Sequence, residues 1–162
     1  CRGGVMALSL LRSPTHPDPE ADQGEHEFTY AMMPHRGDWR AAGVDQEAEG
    51  LNMPLGVLGA GVSGRDGEVW SLLEVRGEGG AGVMVSALKP AEDGRGIVLR
   101  AWESHGRAGR IVVDWKAPVR GVERVDLLER PLAAGRCSHE GARTTIEVGA
   151  FEIVTLRFER VA

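Results

Sequence analysis

Short runs in which apolar and polar residues alternate make up most of this chain after its first third. Alternation with a period of two is typical of β-strands that bury one face and expose the other. The last run, Glu152 to Val161, is the most regular, with Val154, Leu156 and Phe158 on one face. Besides this run, we predict strands over Val5 to Leu11, Glu27 to Met33, the two runs on either side of Gly77 to Gly82, the run that begins at Gly96, Arg110 to Lys116, Val122 to Leu128 and Arg143 to Val148.

The segments between these runs carry turn and helix signals. Gly77 to Gly82 is a glycine-rich connection between two apolar runs, which predicts a β-hairpin. Between Asp38 and Leu51 the apolar residues are spaced three and four apart, which predicts a short helix with Asp38 as its N-cap. Gly56 to Gly67 has almost no periodicity and is the expected long loop.

Together these elements predict an all-β fold, an antiparallel β-sandwich of about eight or nine strands with one short helix. With 162 residues the chain is close to the size of one domain, and a domain of this size buries roughly 70% of its extended surface. We accordingly expect residues 1–162 to form a single β-sandwich domain whose core needs neither a disulfide nor a metal.

Composition argues against two classes of partner. The chain is 42% hydrophobic and 27% charged, and its net charge is −5. This net charge argues against nucleic acids and anionic membranes as partners, since both bind basic surfaces. No apolar run reaches the roughly 18 residues of a membrane span. We expect no nucleic acid and no membrane as partners.

The two cysteines, Cys1 and Cys137, are far apart in the sequence. A disulfide between them is an open alternative, and the favoured interpretation is two reduced thiols in a cytoplasmic protein. Because the chain begins without methionine, we also expect it to be a piece of a longer protein.

The stretch from residue 9 to residue 35 holds three of the five histidines together with several carboxylates. The prolines of "SPTHPDP" predict a stiff, extended loop. The following "GEHEFTY" predicts a strand with His26, Phe28 and Tyr30 on one face. His26 and Tyr30 are then either partnered core residues or the polar lining of a cleft. A metal site formed by the three histidines is disfavoured, because their spacings are too long for a typical zinc-binding pair.

Several motifs resemble the C-terminal β-domain of α-mannosidases of glycoside hydrolase family 38, of the bacterial and fungal vacuolar type. They are "LSLLRSPTHPDPEADQGEHEFTYAMMPHRGDW", "AEGLNMPL", "VSALKPAEDGRGIVLRAWESHGR", "VDLLER" and "GAFEIVTLRF". The resemblance implies a parent enzyme that hydrolyses terminal α-D-mannosides with retention, in an N-terminal catalytic domain that holds a divalent metal, usually zinc. It also implies that this chain has no catalytic residue, metal ligand or cofactor of its own and is inactive alone.

Within these motifs, the resemblance nominates Arg12, Asp22, His26 and Tyr30 as candidates for the rim of the sugar pocket. It implies that the domain packs on the N-terminal catalytic domain of the same protein and that mannose-containing glycans are bound there. The four side chains offer the donors and acceptors that sugar hydroxyls need. The alternative that Arg12 instead pairs with Asp22 to hold the loop stays open.

Two other functions compete with this one. The first is an autonomous carbohydrate-binding module, which is disfavoured because aromatic residues make up only 5% of the chain and because Trp70, Trp102 and Trp115 lie in strand patterns where burial is expected. The second is a sandwich that mediates interactions unrelated to sugar.

Overall fold

The computed structural model describes residues 3–56, 70–133 and 136–160. The chain divides into two compact units, Cys1–His35 and Arg36–Ala162. The expectation of a single domain over residues 1–162 stays a prediction.

The described part of the first unit, residues 3–35, contains no helix and no strand. The strands predicted for Val5 to Leu11 and Glu27 to Met33 are therefore wrong. Apolar side chains in both segments are exposed, Leu8 by 67% and Met32 by 73%. Alternation predicts a strand only where one face is buried, and these segments have no buried face.

In the described part of the second unit, one helix, α1, spans Val44–Asn52, and eight strands follow it. The strands are β1 Leu73–Glu78, β2 Val83–Pro90, β3 Ile97–Glu103, β4 Gly109–Trp115, β5 Val119–Val125, β6 Cys137–Glu140, β7 Arg143–Val148 and β8 Ile153–Arg160. They form two four-stranded antiparallel sheets, in the orders β1-β4-β7-β6 and β2-β3-β8-β5. This arrangement confirms the predicted β-sandwich.

The core is built from the inward faces of both sheets. Phe158 on β8 is fully buried, and its ring centroid lies 4.6 Å from that of Trp115 on β4. The alternation predicted for β8 is confirmed, since Val154 and Leu156 are also at most 2% exposed. The other buried residues of this cluster are Ala81, Leu99, Ala101, Ile111, Val113, Ile146 and Val148. Each large apolar side chain buried here contributes about 1.5–3 kcal/mol to folding.

The predicted hairpin at Gly77 to Gly82 is wrong. β1 pairs with β4, and β2 pairs with β3, so the glycine-rich connection crosses from one sheet to the other. Close backbone contact explains the glycine at position 77, because a Cβ there would lie 2.0 Å from the carbonyl oxygen of Ala81. Local spacing predicted the strands but not their partners.

The predicted helix, the expected burial of three tryptophans and the predicted long loop have different outcomes. The predicted helix is confirmed over Val44–Asn52, but its N-cap is Gly43 and not Asp38. Asp38 accepts a hydrogen bond from the backbone N–H of Arg40 in a turn before the helix. Burial is confirmed for Trp115, whereas Trp102 is half-buried and Trp70 is 77% exposed. The predicted loop lies outside the described residues from position 57 onward. No helix in the described part of the chain is long and apolar enough to cross a bilayer.

Candidate functional site

The four predicted rim residues lie in the first unit, and all four are exposed. Asp22 adopts a left-handed backbone conformation, with φ of 57°. Its carbonyl oxygen accepts a hydrogen bond from Nε2 of His26 at 2.8 Å. The structure therefore brings Asp22 and His26 together through the backbone of one and the imidazole of the other, which leaves the Asp22 carboxylate exposed.

Arg12 and Tyr30 are not tied to that pair. Across the described residues of the first unit, no ion pair or hydrogen bond joins Arg12 to Asp22, so the loop-holding alternative has no contact to support it. Tyr30 is 69% exposed. The core interpretation of His26 and Tyr30 is wrong, because neither side chain is buried in the structure.

An aromatic contact accompanies the histidine. The rings of His26 and Phe28 stack with centroids 6.0 Å apart and an angle of 16° between their planes. Phe28 remains 44% exposed. The segment thus presents an imidazole, a phenol, a guanidinium and a carboxylate to its surroundings, a set that can both donate to and accept from hydroxyl groups.

A second cluster, which the sequence analysis did not nominate, lies at one end of the sandwich and centres on Glu103 at the end of β3. Its side chain is fully buried. Its two carboxylate oxygens accept hydrogen bonds of 2.8 to 3.0 Å from five backbone N–H groups, those of Gly82, His105, Gly106, Arg107 and Phe151. One carboxylate therefore joins the β1–β2, β3–β4 and β7–β8 connections.

The pKa of Glu103 reflects two opposing effects. Burial acts to raise the pKa, because it disfavours the charged form. The backbone N–H groups that point at the carboxylate stabilise that form, and the net result is a lowered pKa. Glu103 is consequently a permanent anion at neutral pH, which suits a structural acceptor and not a general acid.

Beside Glu103, the β3–β4 connection contacts α1 and the turn before it. Asp45 Oδ2 accepts a hydrogen bond from the hydroxyl of Ser104 at 2.9 Å and lies 3.4 Å from Nε2 of His105.

The turn before α1 contacts the same histidine. Nε of Arg40 donates to the carbonyl oxygen of His105 at 2.8 Å, and the Trp39 ring meets the His105 imidazole edge-on at 5.6 Å. These contacts fix α1 on the end of the sandwich.

The grouping of a serine, a histidine and an aspartate here is not a hydrolytic triad. In a triad the serine donates to the histidine and the histidine to the aspartate. Here the hydroxyl of Ser104 and the imidazole of His105 both face the same oxygen of Asp45. The chemistry that this cluster supports is positioning and recognition.

A sequence signal for this cluster existed in "AWESHGR". The core face of β3 includes Leu99 and Ala101, and Glu103 falls on the same face by alternation. A carboxylate at an inward position needs several donors, and a following glycine-containing turn supplies them through its backbone. The helix partner, Asp45, carries no comparable signal because it lies 59 residues before Ser104.

Metal binding and thiol chemistry are the two remaining possibilities to examine in the chain. Within residues 3–56, 70–133 and 136–160, no group of three or more histidine, cysteine, aspartate or glutamate side chains is arranged to hold a metal. Cys137 is a half-buried free thiol, and burial raises its pKa. Cys1 lies outside the described residues.

Comparison with known proteins finds similarity to one protein family and to several proteins named alpha-mannosidase. Residues 82–156 match the family described as the glycosyl hydrolases family 38 C-terminal beta sandwich domain. Alpha-mannosidase 2C1 of Homo sapiens is 39% identical over 158 residues, which are 96% of this chain and 15% of that protein. Alpha-mannosidase G of Dictyostelium discoideum and the alpha-mannosidase of Saccharomyces cerevisiae are each 32% identical over 96% of this chain. No solved structure matches the chain.

The matched residues run from the start of β2 into β8 and therefore include most of both antiparallel sheets. The chain carries, in residues 82–156, the C-terminal β-sandwich domain of glycoside hydrolase family 38, as the family resemblance of its motifs predicted. It spans about 15% of the length of the human relative, and 14% and 16% of the other two.

Proposed function

We propose that this chain is the C-terminal accessory domain of an α-mannosidase that hydrolyses terminal α-D-mannosides with retention. The observation that carries the proposal is the similarity to proteins named alpha-mannosidase, at 32–39% identity over 96% of the chain. The similarity extends over both units and therefore includes the segment with Arg12, Asp22, His26 and Tyr30.

In this proposal the domain packs on an N-terminal catalytic domain of the same protein, and the four side chains form part of the rim of its sugar pocket. Their exposure supports this role, since each is accessible to a ligand or a neighbouring surface. The divalent metal, which we expect to be zinc, is bound in the catalytic domain. All catalytic residues belong to that domain as well. This chain alone is inactive, and its location is cytoplasmic.

A kinetic comparison tests the rim. In the full-length protein, Arg12→Ala removes a charged donor, so we expect kcat/KM for an aryl α-mannoside to fall about tenfold or more. Arg95→Ala is the matched control, because Arg95 is 83% exposed on the β2–β3 turn and lies outside the rim. His26→Ala is compared in the same way with His16→Ala, an exposed histidine of the same unit.

The results separate the parts of the proposal. Release of mannose by the full-length protein, with reduced kcat/KM in Arg12→Ala and His26→Ala alone, supports the enzyme and its rim. Unchanged kinetics in both variants would contradict the rim while leaving the activity in place. Turnover by residues 1–162 alone would contradict the assignment of all catalytic chemistry to the other domain.

A further inference from the structure

The outer face of the sheet β1-β4-β7-β6 carries a shallow polar depression of about 480 Å³. Its polar lining comes from three adjacent strands and is formed by Asp114 on β4, Ser138 and Glu140 on β6, and Arg143 and Thr145 on β7. A volume of this size falls within the range of roughly 300–1,000 Å³ that is usual for small-molecule sites.

Strand register explains why these side chains meet. Arg143 is opposite both Asp114 and Glu140, which makes a row of alternating charge across three strands. One step along the same face, Thr145 is opposite Ser138, which makes a row of hydroxyls beside the charged row. Thr144 lies between the two rows in sequence and points into the core. The depression is thus a direct product of alternation and register.

The charged row holds its groups in fixed positions. Nε of Arg143 donates to Oδ1 of Asp114 at 2.6 Å, and Arg76 also donates to this carboxylate. These hydrogen bonds, of which the one from Arg143 has the largest effect, lower the pKa of Asp114 to about 2. The lining carries two carboxylates, Asp114 and Glu140, and one guanidinium, that of Arg143, while Arg76 pairs with Asp114 from outside the lining. The excess carboxylate disfavours an anion such as phosphate, and both guanidiniums already occupy the Asp114 carboxylate that a metal cation would need.

The remaining groups are available to a ligand. Among the described residues, none donates a hydrogen bond to Glu140 or pairs with it, and none bonds to the hydroxyls of Ser138 and Thr145. Two free hydroxyls, a free carboxylate and the outer edge of Arg143 form a mixed array of donors and acceptors. Such an array complements a neutral molecule with several hydroxyl groups.

We propose that this depression is a second glycan-binding site, which takes a neutral hexose unit, and specifically a mannose unit of the glycan on which the enzyme acts. The identity of the sugar rests on the proposed function, whereas the neutral polyhydroxyl class rests on the lining alone. No aromatic ring lines the depression, so the ligand gains no stacking energy. We therefore expect weak binding, with a Kd of about 1 mM or above.

Titration of the isotope-labelled chain with methyl α-D-mannopyranoside and with an α-linked mannobiose, followed by amide NMR, tests the site. We expect saturable shifts at Ser138, Glu140, Arg143 and Thr145. Shifts confined to residues 3–35 would overturn the second site while supporting the rim. Saturable shifts at the depression with inorganic phosphate but not with sugar would also overturn it.

Matched variants test whether the side chains that line the depression bind the sugar. Ser138→Ala and Glu140→Gln each remove part of the array, so we expect Kd to rise about fivefold. The controls Ser86→Ala, on the opposite sheet, and Glu147→Gln, on β7 beyond the lining, retain the original Kd. Equal weakening in the controls would overturn the site.

The full-length protein distinguishes this site from the rim. We expect Ser138→Ala and Glu140→Gln to raise KM for a mannan oligosaccharide and to leave kcat/KM for a small aryl mannoside unchanged. If the proposed function fails, the full-length protein releases no mannose, yet the NMR titration still reports whether the depression binds a neutral sugar.

Discussion

The carboxylate of Glu103 organises one end of the sandwich. It accepts backbone hydrogen bonds from residues that are 21 positions before it and 48 positions after it. Hydrogen bonds to a charged acceptor in a buried site are worth more than those between neutral groups, and an unpaired donor left there is costly. A single side chain therefore ties three connections together, in addition to the backbone hydrogen bonds that run from Ser104 to Gly82 and from Glu103 to Glu152.

Substitution Glu103→Gln tests this role. The amide has one acceptor oxygen and directs an NH₂ group at backbone donors, so we expect the free energy of unfolding to fall by roughly 3 kcal/mol or more. Urea unfolding measures the change. Glu147→Gln, the same substitution at an exposed position, should alter stability by less than about 0.5 kcal/mol.

The same carboxylate makes stability depend on pH. Its pKa in the folded protein is lowered from the ordinary value of 4.5. Its contribution is therefore complete above that value and is lost as the pH falls below it, because the unfolded chain binds the proton first. Urea midpoints measured from neutral to acidic pH should fall steeply for the original chain and less steeply for Glu103→Gln. Parallel slopes would contradict the assignment.

At the scale of elements, the turn between β2 and β3 brings a glycine against the neighbouring strand. Gly96 has φ of +109°, and a Cβ there would lie 2.2 Å from the carbonyl oxygen of Phe158 on β8. Gly94, in the same turn, has φ of +73° and no atom within 4 Å of its Cβ position. Both glycines have a positive φ, but only Gly96 lies so close to a neighbouring strand that a Cβ would clash.

This pair allows a matched experiment. Gly94→Ala should cost about 1 kcal/mol, which is the usual penalty for a left-handed alanine. Gly96→Ala carries that strain and also pushes β8 away from β3, so we expect a loss at least 2 kcal/mol larger in denaturant unfolding. Equal losses would mean that the turn yields without disturbing the β3–β8 pairing.

Alternation predicted the strands of the second unit well because the core sits on one face of each sheet. It predicted β8 by its apolar residues, and it missed β6 because "CSHE" has only four residues and little apolar character. It was wrong for Val5 to Leu11, where apolar residues remain exposed. Period alone also does not encode which strands pair, which is why β1 and β2 were expected to form a hairpin.

The candidate sites were predictable to different degrees. Family resemblance nominated the residues of the first unit, and their exposure agrees with an interaction role. The Glu103 cluster and the polar depression depend on contacts between residues far apart in sequence. Asp114 and Arg143, for example, meet only because β4 and β7 are neighbours. Local spacing carries no information about such pairs.

At the scale of the whole molecule, the second unit contains its own core. All buried apolar residues of the described chain lie between Ala81 and Phe158, and the match to family 38 covers residues 82–156. We expect residues 36–162, expressed without the first unit, to unfold in one cooperative transition followed by circular dichroism. A broad, non-cooperative transition would show that the first unit is required for folding.

The position of β8 governs when the second sheet can assemble during synthesis. β8 is the last strand of the second unit, yet it lies between β3 and β5 in its sheet. A nascent chain that ends before Ile153 has no partner strand for β5, and the outer edge of β3 is open. The sheet therefore closes only after this strand has left the ribosome, and until then the edges of β3 and β5 that will face it can pair with other chains.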